Sequence, residues 1–269
     1  MIKLIALDLD GTLLGPDFRV GEVDGAAVLA AKARGVQIVL NTARWYGIAQ
    51  RTARRLEIST PLICHNGAHV KEPADDGAEL LHMRIPTEPA REIAARCDEG
   101  GWETYTSVEG VTYMRSRWEG SIDPERLPAD MRLAKTHAEH VTSPATGLIV
   151  FSEEGVRGVV DAFEERYRGT IDFHTAWSEA TQPYVSITAA GADKGKALRL
   201  VLDHLGVPPE ETMAIGDALP DVPMFELARV GIAMGNAPDD VKERADAVAP
   251  SHEDAGVAWA IQRYVLDGG

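Results

Sequence analysis

Cysteine is nearly absent from this 269-residue chain: only Cys64 and Cys97 occur. Two thiols do not make a disulfide framework in a chain this long. They fit a reducing cytoplasm, with a single bridge left open. Basic residues are scarce as well, 27 Lys and Arg against 42 Asp and Glu, for a formal charge of −15. Such an excess of negative charge repels phosphodiester backbones and anionic lipid, so binding to nucleic acid or to a membrane surface is not expected. No run of roughly 18 apolar residues is present, so no membrane span is expected. Asp8 and Asp10 fall where a secretory signal needs its apolar stretch. A cytoplasmic protein follows, a monomer or a small homo-oligomer. An anionic small-molecule substrate would need a local reversal of charge, from a bound cation or a few placed Lys and Arg.

Hydrophobic residues make up 45% of the chain and charged residues 26%, the ordinary globular range. Ile2–Leu9 is an apolar, strand-like run that stops at Asp10-Gly11-Thr12. A helical spacing of Ala and Leu covers Glu22–Arg34, with Gly35 placed as its C′ residue. A strand over Val36–Leu40, a helix over Arg44–Leu56 and a strand over Leu62–Cys64 follow. This alternation predicts a parallel sheet with crossover helices.

Between residues 83 and 186 the pattern changes. Helices over Pro86–Glu99 and Val156–Arg168 alternate with β-rich pieces at Trp102–Thr106, Val111–Met114, Leu148–Phe151, Ile171–Phe173 and Tyr184–Ile187. Trp118 falls in this region, and Glu119–Ala129 reads as a surface loop. Strand–helix alternation returns from Lys194, with helices over Lys194–Leu205, Asp221–Ala228, Asp239–Arg244 and Ala255–Tyr264. The expected fold is α/β: a doubly wound, Rossmann-like parallel-sheet core over residues 1–82 and 188–269, with an α+β domain over residues 83–187 inserted in it.

The chemistry concentrates in Asp8-Leu9-Asp10-Gly11-Thr12-Leu13. Residues two apart on a strand share a face. Carboxylates at a strand's carboxyl end point into the crevice where open α/β sheets bind ligands. One such carboxylate can attack phosphorus and a second can lend and recover a proton. The plainer alternative is an acidic turn after an edge strand. Asp217 and Asp221 stand four apart where a strand meets a helix. Hard carboxylate oxygens suit Mg²⁺, although acids in a helix's first turn also gain from its dipole. Thr42 reads equally as an N-cap, Arg44 as a first-turn surface residue, and Lys194 as one more surface lysine.

Asp8–Leu14 resembles the first motif of the haloacid dehalogenase-like hydrolases. Asn41-Thr42-Ala43-Arg44, Asp193-Lys194-Gly195-Lys196 and Gly216-Asp217-Ala218-Leu219-Pro220-Asp221 resemble the second, third and fourth, in the expected order. The insert, together with Ile63–Ala68 and Ala233–Ala237, is similar to the Cof-type subgroup, in which such an insert forms a cap. The resemblance implies a Mg²⁺-dependent phosphatase of a small phosphorylated metabolite, a sugar phosphate or similar, acting through an aspartyl-phosphate. It implies Asp8 as nucleophile, Asp10 as acid and base, and Thr42 and Lys194 on the phosphoryl group. The same group, or the rest of the substrate, would meet backbone at Leu9, Gly11 and Ala43 and the side chains of Arg44 and Asn66. Asp8, Asp10 through its carbonyl, Asp217 and Asp221 are the implied metal ligands. The departures are Ala43 for a frequent Gly, Pro220 for an Asn that helps hold phosphate, and Ala255 for an Asp. A phosphomutase, or a non-catalytic phosphate-ligand-binding homologue, remains as an alternative. His65 with His69 and His137 with His140 have metal-like spacing but no partner set. Cys64 reads as a buried small hydrophobe, and His174, Trp177 and Tyr184 as core aromatics.

Overall fold

The computed structural model describes residues 1–16, 18–74, 76–116, 127–176 and 183–267. Trp118, Trp177 and most of the Glu119–Ala129 stretch lie outside the described residues. Along the chain run β1 (Leu4–Leu7), α1 (Glu22–Ala33), β2 (Gln37–Leu40), α2 (Tyr46–Arg55), β3 (Leu62–Cys64), β4 (His69–Lys71) and β5 (Glu79–His82). Next come α3 (Thr87–Gly100), β6 (Thr104–Val108), β7 (Val111–Arg115), β8 (Met131–Leu133), β9 (Ala145–Phe151), α4 (Glu153–Phe163), β10 (Ile171–Ala176) and β11 (Tyr184–Ala189). The chain ends with α5 (Lys194–Leu205), β12 (Thr212–Gly216), α6 (Val222–Leu227), β13 (Val230–Ala233), α7 (Asp239–Lys242), β14 (Ala247–Val248) and α8 (Gly256–Ile261). Two compact units emerge, Met1–Leu81 with Asp193–Gly269, and His82–Ala192.

The first unit carries a parallel five-stranded sheet in the order β14-β13-β12-β1-β2. Its strands are apolar on both faces, as a sheet covered on both sides requires. Period two divides them cleanly. Leu4 and Ala6 pack with Val39, Ala214 and with Ala197, Leu198 and Val201 of α5. Ile5 and Leu7 pack on the opposite face with Ile38, Leu40 and Ile215 and with Val28 of α1, Ala49 of α2 and Val257 of α8. Each fully buried Leu or Ile contributes roughly 1.5–3 kcal/mol relative to exposure, so both helical layers are held by alternate residues of the same strands. This is the doubly wound α/β arrangement. The chain leaves β1 toward β2 on one side and later returns on the other as β12. The gap at the carboxyl ends of β1 and β12 is therefore the point where strand order reverses, and such points bind ligands.

The second unit is a six-stranded sheet, β10-β11-β9-β6-β7-β8, antiparallel except at β7–β8. Helices α3 and α4 lay Ile93, Cys97, Val156 and Phe163 on one face, against Leu148, Val150, Val185 and Ile187. Trp102 belongs to this core rather than to a strand, and β6 begins after it. A Cβ added at Gly158 would fall 2.1 Å from the Trp102 ring, so α4 stays bare there to admit the indole. Helix α4 also departs from the Val156–Arg168 expectation. It starts earlier, where Ser152 Oγ accepts a hydrogen bond from Gly155 N–H at 3.1 Å, and it stops at Phe163. Strand β8 was not anticipated, because Met-Arg-Leu is too short for a period to show. Cys64 and Cys97 are both free and buried. Among the described residues, no helix is long and apolar enough to cross a membrane.

His137 is fully buried in this unit, its Nδ1 2.9 Å from Thr106 Oγ1. Burial lowers its pKa to about 4, against the pull of Asp98. The folded unit thus binds fewer protons than the unfolded chain between about pH 6.5 and 4, and its stability rises with pH across that window. Denaturant titrations are expected to show about 3 kcal/mol lost on descending through it. A His137→Gln variant is expected to flatten that part of the profile.

Candidate active site

The site is built where β1 and β12 end. Asp8 N–H donates to Ile215 carbonyl at 3.0 Å, continuing the β1–β12 pairing and fixing the first carboxylate. The chain then folds on itself. Leu14 N–H and Thr12 N–H both return to the Leu9 carbonyl, and Gly11 N–H reaches the Leu14 carbonyl. Gly11 has φ +79°, and a Cβ there would fall 2.3 Å from Asp217 Oδ2. Only glycine permits both the backbone angle and the approach of this loop to Asp217.

The turn separates the two carboxylates of the first motif. Asp8 is buried and meets Lys194, whereas Asp10 is partly exposed and meets Arg44. Lys194 is the first residue of α5, behind Asp193, whose Oδ1 accepts from Lys196 N–H at 2.8 Å and caps the helix. Its Nζ lies 2.6 Å from Asp8 Oδ1 and 2.5 Å from Asp221 Oδ1. Asp221 Oδ2 accepts from Asp217 N–H and Ala218 N–H, each at 2.9 Å. Asp221 thereby shapes the turn that presents Asp217. The Asp217 side chain accepts from Thr12 Oγ1 at 3.2 Å and from Asn236 Nδ2 at 3.3 Å.

Ligand oxygens of Asp8, Asp217 and Asp221 lie within 4.8 Å of one another, all buried, and Lys194 is the cation they share. Burial pushes the Asp8 carboxyl up to about 7, with Lys194 opposing and Asp221 reinforcing the rise. Asp217 is raised well above its ordinary value by burial and by the charges of Asp8 and Asp221. Burial alone would lower Lys194, but Asp221 and Asp8 outweigh it and hold the ammonium above its usual pKa. The pocket is short of positive charge, which is the condition a divalent cation relieves. The donors are all hard oxygens, so the residues fit Mg²⁺.

The second motif closes the cluster. Thr42 does not cap α2, whose N-cap is Trp45. Its Oγ1 accepts from Arg44 N–H at 3.1 Å in a turn of its own, while its carbonyl accepts from Asn66 N–H. The Thr42 hydroxyl keeps its proton for another acceptor. Asn66 is 2% exposed, has φ 53°, and neither amide atom has a partner among the described residues. Two orphaned polar atoms in a buried, left-handed residue cost stability, as a side chain kept for a ligand would. Beside it, a Cβ on Gly67 would fall 2.4 Å from the Asp193 carbonyl, so this loop sits directly on the start of α5. Leu9 is fully buried and Ala43 half-buried, so only their backbone groups are of use to a ligand.

Three contributors lie within the matched segments, although the sequence assigns none of them a role of its own. Asn236 bridges Asp217 and the Gly11 carbonyl, the latter at 2.9 Å. Thr12 supports Asp217. Asn41 donates from Nδ2 to the Lys194 carbonyl at 3.0 Å, tying β2 to α5. Besides the motif segments that contain all three, Asn41 carried a signal of its own, a polar residue closing the apolar strand Gln37-Ile-Val-Leu-Asn41.

The family described as haloacid dehalogenase-like hydrolase matches residues 5–261. The 5-amino-6-(5-phospho-D-ribitylamino)uracil phosphatase YcsE of Bacillus subtilis (strain 168) is 30% identical over 267 residues, covering 98% of this chain and 96% of its own. A second phosphatase of that name from the same organism, YitU, is 28% identical over 263 residues, covering 97% of each chain. The solved structure of a subclass IIB sugar phosphatase superposes with a TM-score of 0.77 at 25% identity, covering 97% of this chain and 98% of that one.

Proposed function

Because the chain belongs to the haloacid dehalogenase-like hydrolases and is a hydrolase of phosphate esters, we propose that it hydrolyses a small phosphorylated polyol or sugar through an aspartyl-phosphate on Asp8. The observation that carries this reading is the Asp8–Lys194–Asp221 chain of contacts beside Asp217, at the point where strand order reverses. The substrate class is supported by the sugar and ribityl phosphates in the names of similar proteins.

Asp8 attacks phosphorus, forming an Oδ–P bond as the ester P–O bond breaks. Asp10 gives its proton to the departing alkoxide. Asp10 then takes a proton from water, whose oxygen attacks the same phosphorus and frees Asp8 and inorganic phosphate. Lys194 and the Thr42 hydroxyl, with backbone N–H groups near Leu9, Gly11 and Ala43, stabilise the charge that builds on the phosphoryl oxygens. Asn66 offers its unpartnered amide to the substrate. Asp8, Asp217 and the Asp10 carbonyl would hold Mg²⁺, which when bound supplies charge neutralisation at phosphorus. Asp221, engaged by Lys194 and two backbone N–H groups, orients these ligands. The second unit acts as the cap that selects the substrate.

A panel of phosphomonoesters incubated with the purified protein and Mg²⁺ is expected to yield inorganic phosphate from at least one sugar or polyol phosphate. Release should stop in EDTA and return with Mg²⁺. Mg²⁺ at ~100 times its dissociation constant is also expected to stabilise the fold by about 2.7 kcal/mol, read as a higher thermal midpoint without substrate. No release from any ester, or release indifferent to EDTA, would overturn the reading.

A further inference from the structure

We infer that Arg44 is a positioning residue for Asp10 rather than a ligand of the phosphoryl group. Its Nε lies 2.6 Å from Asp10 Oδ2 and its Nη2 lies 2.6 Å from Asp10 Oδ1, a two-point fork that fixes the plane of the carboxylate as well as its place. Both side chains are mostly shielded, at 19% and 21% exposure. The backbone behind the fork is fixed at both ends. Arg44 N–H donates to Thr42 Oγ1, and its carbonyl accepts from His65 N–H at 3.0 Å. The guanidinium also lies 4.6 Å from the Phe18 ring centroid, which limits its swing. Asp10 stands on a loop closed by its own hydrogen bonds. Both partners therefore project from backbones that do not need to move to keep the fork.

A proton donor and acceptor is effective only within hydrogen-bond reach of the atom it serves, and small misplacements are costly. Lys194, Thr42 and the loop amides serve the phosphoryl oxygens in the proposed mechanism. The leaving-group oxygen and the attacking water depend on Asp10 alone, and so on Arg44. This inference rests on the proposed phosphatase reaction and refines one part of it.

The two roles of Arg44 separate by leaving group. An alkyl phosphate needs its departing oxygen protonated, whereas p-nitrophenyl phosphate leaves as a stable anion. In Arg44→Ala, kcat/KM for an alkyl phosphate substrate is expected to fall roughly 10²-fold, and for p-nitrophenyl phosphate by no more than about 3-fold. Because kcat/KM covers only the steps up to release of the alcohol, the Asp10-assisted attack of water does not enter it, and a retained aryl value also shows that the variant is folded. Arg44→Lys keeps a charge without the fork and is expected to show the same selective loss to a smaller degree. Equal losses on both substrates would make Arg44 a phosphoryl ligand, and no loss on either would make it a surface residue; each result overturns the inference. Asp10→Asn, run alongside, tests the underlying reaction separately. If that variant shows no leaving-group selectivity, the acid role of Asp10 fails whatever Arg44 does.

Discussion

Asp8→Asn is expected to lower phosphate release by at least about 10⁴-fold on every substrate the wild-type enzyme accepts, the scale seen when a covalent nucleophile is removed. The amide nearly matches the carboxylate in size but cannot attack phosphorus, so the loss falls on kcat. The fold should survive the change. Asp8 is buried with a folded-state pKa raised to about 7. A raised carboxyl contributes its stability below the unfolded value of about 3.8 and loses it as pH climbs toward 7. Removing the charge at pH 8 therefore relieves Asp217 and Asp221, while Lys194 retains Asp221 as a partner. In metal-free buffer the variant is expected to melt no earlier than wild type. Wild-type turnover would end the case for Asp8, and an early melting point would show that the repulsion in the pocket is weaker than its burial implies.

Lys194→Met is expected to affect both activity and stability. Methionine keeps the length and removes the charge. Three buried carboxylates, Asp8, Asp217 and Asp221, would then share no ammonium. Removing one partner of a buried ion pair typically costs about 3–5 kcal/mol, and urea titration at pH 8 should show a loss of that size. The sign with pH follows from the raised carboxyls: the variant regains stability as pH falls and they take up protons. Mg²⁺ at pH 8 should recover part of the loss. Turnover is expected to drop about 10³-fold, because a preorganised cation facing the developing phosphoryl charge is gone. An unchanged urea midpoint would show that the lysine is dispensable to the pocket.

Much of this was legible in the sequence because it is local. Continuous apolar runs, each ending in a Gly or Asp, marked β1 and β12, and the helix over Lys194–Leu205 begins and ends where its Asp193 cap and Gly206 place it. Asp8, Lys194 and Asp217 could be nominated because each stands at such a junction. Other positions misled. Thr42 has the chemistry of an N-cap, yet α2 starts later, and the hydroxyl oxygen accepts from Arg44 N–H in a separate turn while its proton stays available to a ligand. Arg44 looked like a phosphate ligand or a surface residue, and neither reading included Asp10.

What the sequence determined by itself was therefore the kind of element at each place and the residue type that ends it, since both follow from contacts within a few positions. Only the tertiary structure decided who meets whom. Lys194 and Asp8 lie 186 residues apart, Asn236 and Gly11 225 apart, and Arg44 and Asp10 34 apart. No local period encodes such distances. They are set by the order in which β12, β1 and β2 pair, and by glycines such as Gly11 and Gly67 that let backbones close on neighbours far along the chain.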